Sequence, residues 1–435
     1  MKKVLLVALT CYFGTSVMAQ NYERCRTPQA IQYQENLTPG YMQDVNNVFN
    51  EAKSYIPKKS FQPIYTIPVV VHVVYNIAAA NLPDSVIIDQ IRVLNEDYNR
   101  MNADTVNMRS DFDIVKGSPQ IQFVLAQIDE FGNPTTGITR TQTSTTSFGS
   151  IALISGDFSD LEKVKSTANG GHDPWDQTRY LNIWVCDMSV FGITALLGYA
   201  TPPSNLPNWP PGSNPGLEDG VVIQYQAFGS NNPNTLDVGN GAIDVRGRTC
   251  THEVGHYLGL RHIWGDGDCN EQDGIDDTPN ADDQSNQDCD FNKNTCTDNI
   301  LGVDLPDMVE NYMDYSEETC QNSFTQGQVD LMHGVLENQR YDLVHNNIAS
   351  IDELDETLFT LSPNPANALI KISAKNSIKQ VEIVSLTGAT VFNKEFFEAN
   401  SSNQTVDVSK LENGIYILNI QTDNVLASKR IVIQK

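Results

Sequence analysis

One short stretch of the chain carries side chains that could hold a metal ion and activate water beside it. It reads His252-Glu253-Val254-Gly255-His256-Tyr257-Leu258-Gly259-Leu260-Arg261-His262. On a helix, His252 and His256 lie one turn apart on the same face, which is the spacing that two imidazoles need to bind one zinc ion. Glu253 lies beside them as a candidate general base. The stretch therefore predicts a zinc-binding helix with a base next to the metal.

A turn after this helix predicts a third ligand. Gly259 can adopt a positive φ, the conformation through which a chain commonly leaves a helix. The turn can then bring His262 back to the metal. Three neutral imidazoles leave one coordination position open, as in catalytic rather than structural zinc sites. The alternative, a buried helix whose histidines only pack, explains neither Gly259 nor His262.

The extended pattern resembles the zinc signature of the metzincin metallopeptidases, whose second mark is a methionine turn. Other segments are similar to the pappalysin branch of that family, and in particular to its smaller microbial members. They are His262-Ile263-Trp264-Gly265, Asp276-Asp277-Thr278-Pro279, and Asn311-Tyr312-Met313-Asp314-Tyr315 with Cys320. The resemblance covers residues 60–345. It implies an α+β catalytic domain with a twisted mixed five-stranded sheet, a zinc helix and a loop-rich C-terminal subdomain.

The resemblance also implies a role for each site residue. The three histidines would bind zinc, which lowers the pKa of bound water toward about 7 and polarises the scissile carbonyl. Glu253 would take the proton of that water and deliver it to the leaving amine, and Tyr315 would stabilise the oxyanion. Met313 would form the apolar floor beneath the histidines. The implied function is a zinc endopeptidase that hydrolyses proteins or peptides.

A protein of a different class, a surface adhesin that keeps a zinc or calcium site without activity, is the alternative. Such relics usually lose the glutamate, and Glu253 is present. Casein turnover with and without a zinc chelator distinguishes the two hypotheses.

Charge and an N-terminal apolar segment predict a secreted protein. The 435 residues carry a formal net charge of −26, which argues against nucleic acid and anionic lipid as partners because both attract basic proteins. Residues 1–19 are typical of a secretory signal, with Lys2 and Lys3 before a short apolar core. No later stretch is long and apolar enough to span a membrane. We expect the mature protein to be extracellular and monomeric.

Residues 20–59 predict a pro-segment that keeps the enzyme latent. Seven cysteines remain when Cys11 leaves with the signal, so one thiol has no intramolecular partner, and Cys25 lies outside the catalytic region. Its thiolate could fill the open zinc position, and Arg24 and Arg26 would favour that thiolate. The arrangement resembles the cysteine switch of related metallopeptidases. The expected cleavage site is Lys58-Lys59-Ser60; the alternative is an extension with no inhibitory role.

The acidic stretch after the zinc helix needs cross-links or cations to fold. From Asp266 to Glu318 it holds seventeen Asp or Glu against one Lys, a composition that folds poorly alone. The pappalysin resemblance implies the disulfides Cys269–Cys296 and Cys289–Cys320, which leaves Cys186–Cys250 as a third pair. It also implies calcium near this loop, although a merely solvated loop is the alternative. The candidate calcium ligands are Asp273, Asp276, Asp277 and Thr278.

Apolar periodicity predicts the elements that position the site. A helix begins at Pro83-Asp84, and the last helix of the catalytic domain spans residues 331–344. Residues 197–201 correspond to the edge strand that pairs with the substrate backbone in the metzincin fold. The other predicted strands lie at residues 67–75, 120–126, 181–186 and 221–225.

A separate all-β unit is predicted at the C-terminus. After an acidic linker at residues 346–357, residues 358–435 show short alternating strands with turn signals between them, which predicts a small β-sandwich. Ser362-Pro363-Asn364-Pro365, Asn413-Gly414-Ile415-Tyr416 and Lys429-Arg430-Ile431-Val432 resemble the sorting domain of the type IX secretion system of Bacteroidota. This implies export through the periplasm and contact with outer-membrane secretion machinery. A carbohydrate- or protein-binding module is the alternative.

Overall fold

The computed structural model describes three parts of the chain, which we call the N-terminal segment (22–55), the central region (65–345) and the C-terminal region (359–435). The described residues are 22–55, 65–150, 152, 157–205, 218–238, 241–285, 287–345, 359–374, 377–385, 390–396, 402–422 and 426–435. The predicted signal, the predicted cleavage site at Lys58-Lys59-Ser60 and the predicted linker lie outside them. Within these ranges no helix has the length and apolar character that crossing a membrane requires.

A seven-stranded mixed sheet forms the centre of the central region, and one of its strands comes from the N-terminal segment. The strands are β1 Glu23–Cys25, β2 Tyr65–Tyr75, β3 Ile121–Leu125, β4 Ile138–Gln142, β5 Leu181–Cys186, β6 Leu196–Ala200 and β7 Val221–Gln224. Their order is β1-β6-β7-β5-β2-β3, and β4 pairs with the second half of β2. Only the β6–β7 pair is antiparallel among these strands.

The predicted five-stranded sheet corresponds to β2, β3, β5, β6 and β7, and two further strands extend it. The sequence of β4, Ile-Thr-Arg-Thr-Gln, is polar and only partly buried, so its apolar pattern is too weak to predict a strand. β1 is three residues long and is a strand only because β6 offers it a free edge. By contrast, every residue of β5 is buried, which is typical of a strand covered on both faces.

Seven α-helices lie within the described residues: α1 Thr27–Leu37, α2 Tyr41–Lys53, α3 Asp84–Tyr98, α4 Ser159–Glu162, α5 Arg248–Tyr257, α6 Gln326–Glu337 and α7 Tyr341–His345. The single helix predicted at 331–344 is therefore two helices. α6 begins earlier than expected because Thr325 and Gln328 form a capping box. Two-residue strands pair Lys116–Gly117 with Phe324–Thr325 and Leu236–Asp237 with Ala242–Ile243.

The N-terminal segment folds against the central region rather than lying beside it as a loosely structured extension. α2 packs on α6, where Gly334 leaves the room that the backbone of Ala52 occupies. The Arg261 guanidinium lies over the ring of Phe49, with its Cζ atom 3.8 Å from the ring centroid. Lys53 pairs with Asp276 at 2.7 Å.

Two of the three predicted disulfides are confirmed, Cys269–Cys296 and Cys289–Cys320. The prediction of a Cys186–Cys250 pair is wrong, since both are buried free thiols. Side chains alternate along β5, so Val185 joins the hydrophobic cluster that contains α5 and Cys250, whereas Cys186 joins the cluster on the other face. The sheet itself separates the two thiols.

The C-terminal region consists of two antiparallel sheets that share one hydrophobic cluster, as the β-sandwich prediction requires. The three-stranded sheet contains β8 Phe359–Ser362, β9 Leu369–Ala374 and β12 Asn403–Asp407. The four-stranded sheet contains β10 Ile378–Ser385, β11 Thr390–Glu395, β13 Gly414–Thr422 and β14 Leu426–Ile433. Buried residues alternate along β9, as expected when only one face of a strand is covered.

Candidate active site

Helix α5 ends in the turn that the sequence predicts. Gly259 has φ +92°. Its N–H donates to the carbonyl of His256, and the N–H of Leu260 donates to the carbonyl of Gly255, each at 2.9 Å. These two bonds form a Schellman motif, which satisfies the last carbonyls of the helix while the chain reverses. The reversal returns His262 to the helix face that carries the other two histidines.

All three imidazoles are buried, and their Nδ1 atoms face oxygens that can only accept. These are the carbonyls of Tyr312 (2.7 Å, from His252) and Leu260 (2.9 Å, from His256), and the carboxylate of Asp266 (2.6 Å, from His262). Each Nδ1 therefore carries the proton, and each Nε2 keeps its lone pair. Burial lowers the pKa of His256 to about 3 and that of His252 well below its usual value, which favours the neutral rings that bind metal.

The three Nε2 atoms converge on one point. His256 Nε2 lies 3.1 Å from His252 Nε2 and 3.0 Å from His262 Nε2. With Zn–N bonds of about 2.0–2.1 Å, two ligands of one tetrahedral zinc lie roughly 3.3–3.4 Å apart. The ligand atoms of the three histidines and of Cys25 all lie within 4.8 Å of one another. The donor set therefore fits a tetrahedral zinc ion.

Met313, the methionine of the predicted turn, packs against the helix that carries His252 and His256. Its side chain is fully buried, and a Cβ built on Gly255 would lie 2.4 Å from its sulfur. Only glycine at position 255 therefore lets the helix approach the turn this closely. The turn also supplies the Tyr312 carbonyl that orients His252.

The side chain of Glu253 extends from helix α5 toward the edge strand β6. A Cβ on Gly198 would approach the Glu253 side chain to 2.8 Å, so the strand can lie over the carboxylate only because residue 198 is glycine. Oε2 accepts from Cys25 Sγ at 3.3 Å and from Thr27 Oγ1 at 3.2 Å, and Oε1 has no hydrogen-bond partner among the described residues. Burial raises the pKa of Glu253 to about 8, so its carboxylate binds a proton more readily than that of an exposed glutamate.

The N-terminal segment occupies the cleft in front of the histidines. β1 pairs in parallel with β6, Glu23 opposite Leu196 and Cys25 opposite Gly198. Backbone bonds from Glu23 N to Ala195 O (2.8 Å) and from Arg26 N to Gly198 O (3.1 Å) flank this pairing. This pairing brings Cys25 Sγ into the histidine cluster and covers the edge that the sequence predicts for substrate.

The expectation that Arg24 and Arg26 favour the Cys25 thiolate is wrong. Burial, and after it the Glu253 carboxylate, raise the pKa of Cys25 well above its usual value. Arg26 instead pairs with Glu23, and Arg24 turns away from the sulfur into the protein. Neither arginine side chain therefore lies beside the sulfur, where it could stabilise a thiolate.

Arg24 fills a pocket that we call the arginine pocket, formed by residues 314–321. Its guanidinium donates to the Ser316 carbonyl and to Gln321 Oε1 at 3.0 Å, and it lies 3.7 Å from Glu318 Oε1. Arg24 is only 3% exposed. The pocket therefore holds a complete arginine head group by charge and by directed acceptors.

Glu318 also caps the zinc helix. Its Oε2 accepts from the backbone of Arg246 and Arg248, and its Oε1 accepts from the backbone and hydroxyl of Thr249. A carboxylate at a helix N-terminus satisfies orphan N–H groups and the helix dipole together. The acidic side of the arginine pocket is thus rigidly joined to the helix that carries the histidines.

Tyr315 lies at the cleft with its ring packed on the histidines, 4.9 Å from the His262 centroid and 5.6 Å from that of His252. Its hydroxyl donates to the Cys25 carbonyl at 3.2 Å. A phenol that donates to a backbone carbonyl bound in front of the metal cluster is positioned to donate to a reacting carbonyl there. Trp264 stacks on His262 with centroids 4.4 Å apart, and its ring also contacts that of Tyr315 at 4.8 Å.

The four candidate calcium ligands do not share one environment. Asp273 and Asp277 each have one carboxylate oxygen without a hydrogen-bond partner in the described chain, and burial raises the pKa of Asp273 to about 8. Thr278 is buried and hydrogen-bonds to Asp273. Asp276, in contrast, is 90% exposed and paired with Lys53. Asp276 therefore lies apart from the buried carboxylate oxygens of Asp273 and Asp277.

Several functional contacts carry no signal in a single sequence. Asp266 orients His262 from four residues away, yet it lies among many acidic residues that do nothing similar. Gly198 and Thr27 reach Glu253 only through the β1–β6 pairing. The fold also decides which carboxylate after the methionine turn lines the arginine pocket, and it is Glu318, 3.7 Å from the Arg24 guanidinium.

Known families match two parts of the chain. Residues 232–337 match the Peptidase_M43 family, described as pregnancy-associated plasma protein-A, and residues 360–434 match the secretion system C-terminal sorting domain. The prediction of a secreted protein is thereby confirmed. The first match contains the zinc helix and the methionine turn, and the second coincides with the β-sandwich.

Individual relatives agree with this assignment. An extracellular metalloprotease of Arthroderma benhamiae is 36% identical over 177 residues, which cover 40% of this chain and 51% of the relative. The chain thus spans about half the length of that relative. An extracellular metalloprotease of Arthroderma gypseum is 28% identical over 294 residues, 66% of this chain and 78% of the relative.

Two solved structures from Tannerella forsythia are also similar. A promirolysin mutant is 38% identical, with a TM-score of 0.60 over 74% of this chain and 97% of that chain. Mature mirolysin in complex with a cleaved peptide is 41% identical, with a TM-score of 0.57 over 67% of this chain and 100% of that chain.

Proposed function

Because the chain belongs to the pappalysin family of metallopeptidases, Peptidase_M43, we propose that it is a secreted zinc endopeptidase made as a latent precursor. The observation that carries this proposal is the convergence of three correctly protonated imidazoles on one point beside Glu253. The predicted adhesin alternative leaves the carboxyl group of Glu253 and the arginine pocket without a purpose.

His252, His256 and His262 would hold the zinc ion, which when bound supplies Lewis-acid activation of water and of the scissile carbonyl. Glu253 accepts the proton of the attacking water on its carboxylate and returns it to the leaving amine. Tyr315 donates its hydroxyl to the carbonyl oxygen as negative charge develops there. The substrate backbone takes the β6 edge that β1 occupies in the precursor.

Latency follows from the position of the N-terminal segment. Cys25 would bind the zinc ion as a fourth ligand, and β1 fills the substrate edge of β6. Cleavage between the N-terminal segment and the central region, at Lys58-Lys59-Ser60, would then release the cleft. The similar solved structures include promirolysin and mature mirolysin, so a related protein exists in a precursor and a mature form, which supports latency here.

Cleavage before basic residues is the specificity that the arginine pocket supports. The pocket lies next to the zinc cluster and holds Arg24 with a carboxylate, an amide oxygen and a backbone carbonyl. A substrate arginine would replace Arg24 once the N-terminal segment has left. Lysine would bind less well, because a single ammonium cannot satisfy acceptors arranged for a planar guanidinium.

Two further roles complete the proposal. Asp273, Asp277 and Thr278 would hold a calcium ion that stabilises the acidic loop, with Asp276 left outside the ligand set. The C-terminal region would act as a sorting signal for secretion machinery at the outer membrane rather than as a carbohydrate- or protein-binding module. Truncation near residue 350 should leave an active protein that the native host no longer exports; normal export of the truncated chain would favour a binding module.

Casein turnover by the matured full chain tests the enzyme proposal. We expect hydrolysis that a zinc chelator abolishes and added zinc restores, and cuts that precede Arg when a peptide library is analysed by mass spectrometry. Activity that resists the chelator, or no activity in a chain that holds zinc, would favour the adhesin.

A further inference from the structure

The residue directly before β1, Tyr22, is also buried against the central region. Tyr22 lies two residues before Arg24, and alternate side chains of an extended segment point to the same side. Tyr22 is 8% exposed and Arg24 is 3% exposed. The side chain of Glu23, between them, is 42% exposed. Tyr22 and Arg24 therefore point into the protein, whereas Glu23 points away from it.

The surroundings of Tyr22 define which side chains fit there. Tyr22 is part of the main hydrophobic cluster of the central region. Burial raises the pKa of its phenol to about 12 against the opposing charge of Arg24, and the carboxylates of Glu318 and Glu317 add to the rise. The position thus combines apolar walls with a negative rim, so it suits a neutral aromatic ring and disfavours an acidic side chain.

Chain direction decides which substrate residue would reach this position. In the N-terminal segment, Cys25 lies at the zinc cluster and follows Arg24, and β1 runs parallel to β6. Cleavage before a basic residue requires the carbonyl that precedes that residue to lie at the cluster. With its basic side chain in the arginine pocket, a substrate must therefore run in the opposite direction, antiparallel to β6. The residue two positions after the basic one then lies where Tyr22 lies.

We propose that the mature protein has an aromatic subsite at the position of Tyr22, which selects the third residue after the scissile bond. The inference rests on the proposed peptidase function and refines its substrate class: a basic residue directly after the cut and an aromatic residue two places further on. The second residue after the cut takes the outward position of Glu23 and is not selected.

Peptides that share one sequence and carry Arg directly after the scissile bond test the subsite. The third residue after the cut is varied among Tyr, Phe, Ala and Asp. We expect kcat/KM for Tyr and Phe to exceed that for Ala by about fivefold or more, as burial of an aromatic ring predicts, and Asp to be poorest. The matched control varies the second residue among the same four, with changes below about twofold. Equal kcat/KM across the third position would overturn the subsite.

A binding measurement separates this inference from the enzyme proposal. The Glu253→Ala chain, matured by a second protease, is titrated with the same peptides, so that no hydrolysis is needed. Tyr and Phe binding about fivefold more tightly than Ala supports the subsite even if the wild-type chain hydrolyses none of the peptides, a result that would overturn the peptidase function alone. Dissociation constants independent of the third residue would overturn the subsite.

Discussion

Two segments meet at the three zinc-site histidines. One is held mainly by contacts close in sequence, and the other by contacts that are distant in sequence. In the stretch from α5 to His262, two of the three histidines are oriented by partners only four residues away in sequence. In the segment from Tyr22 to Thr27, the contacts reach residues more than 170 positions away, including Glu253 and Gln321. The first segment carries the chemistry in local structure, and the second controls access to it through tertiary contacts.

This difference has a functional consequence. A locally folded ligand set keeps its geometry when the N-terminal segment leaves, because none of its orienting bonds comes from that segment. β1 is only three residues long and lies at the end of the strand order, so it can leave without disturbing the strand pairs behind it. Changes in the first segment should therefore alter the rate of reaction, and changes in the second should alter when the reaction begins.

The largest effect is expected at Glu253. Glu253→Ala should lower kcat of the matured protein by about 10²–10⁴-fold, because general acid–base catalysis contributes that much. Zinc content and melting temperature should stay near those of wild type, since the three histidines are oriented by other residues. Peptide turnover, metal analysis and thermal unfolding check this together. Turnover within tenfold of wild type would remove Glu253 from the mechanism.

Cys25→Ala tests the controlling segment. The precursor should gain activity, or mature faster, by about tenfold or more, because the fourth ligand is lost. Cys186→Ala is the matched control, a buried free thiol on the far face of the sheet, and it should leave latency unchanged. Time courses of casein turnover and of precursor cleavage measure both. A Cys25→Ala precursor as inert as wild type would mean that strand pairing alone keeps the cleft closed.

The disulfides sharpen the comparison on the side of the acidic loop. Replacing both members of Cys269–Cys296 or of Cys289–Cys320 by serine should lower the unfolding free energy by about 2–4 kcal/mol. The two effects should be similar, since the sequence separations are 27 and 31 residues. Urea unfolding of each double variant measures them. Unchanged unfolding midpoints would show that the loop is held by its other contacts.

The smallest effect concerns calcium. At a calcium concentration a hundredfold above Kd, the wild-type chain should gain about 2–3 kcal/mol of stability. Asp273→Asn should abolish that gain, while the matched control Asp276→Asn should keep it, because Asp276 is exposed and paired with Lys53. Thermal unfolding with and without calcium checks both variants. If calcium does not change the melting temperature of the wild-type chain, the alternative of a merely solvated loop is favoured.

Local rules were enough to predict much of this molecule from its sequence. Helical spacing predicted the face shared by His252 and His256, and the conformational freedom of Gly259 predicted the turn that brings in His262. Buried strands such as β2 and β5 were predictable because their apolar runs are long. In each case the information lies within about a dozen residues, and the backbone allows few alternatives.

Only the tertiary structure decided which distant groups share a site. Arg24 fills a pocket rather than stabilising the Cys25 thiolate. Asp276 pairs with Lys53 rather than joining Asp273 as a ligand of one cation. A sheet lies between Cys186 and Cys250. In each case the residue types and charges are compatible with both the predicted contact and the observed one. What differed was the direction of a side chain relative to a sheet or groove, which depends on pairings between strands that are far apart in sequence, such as Glu23 with Leu196.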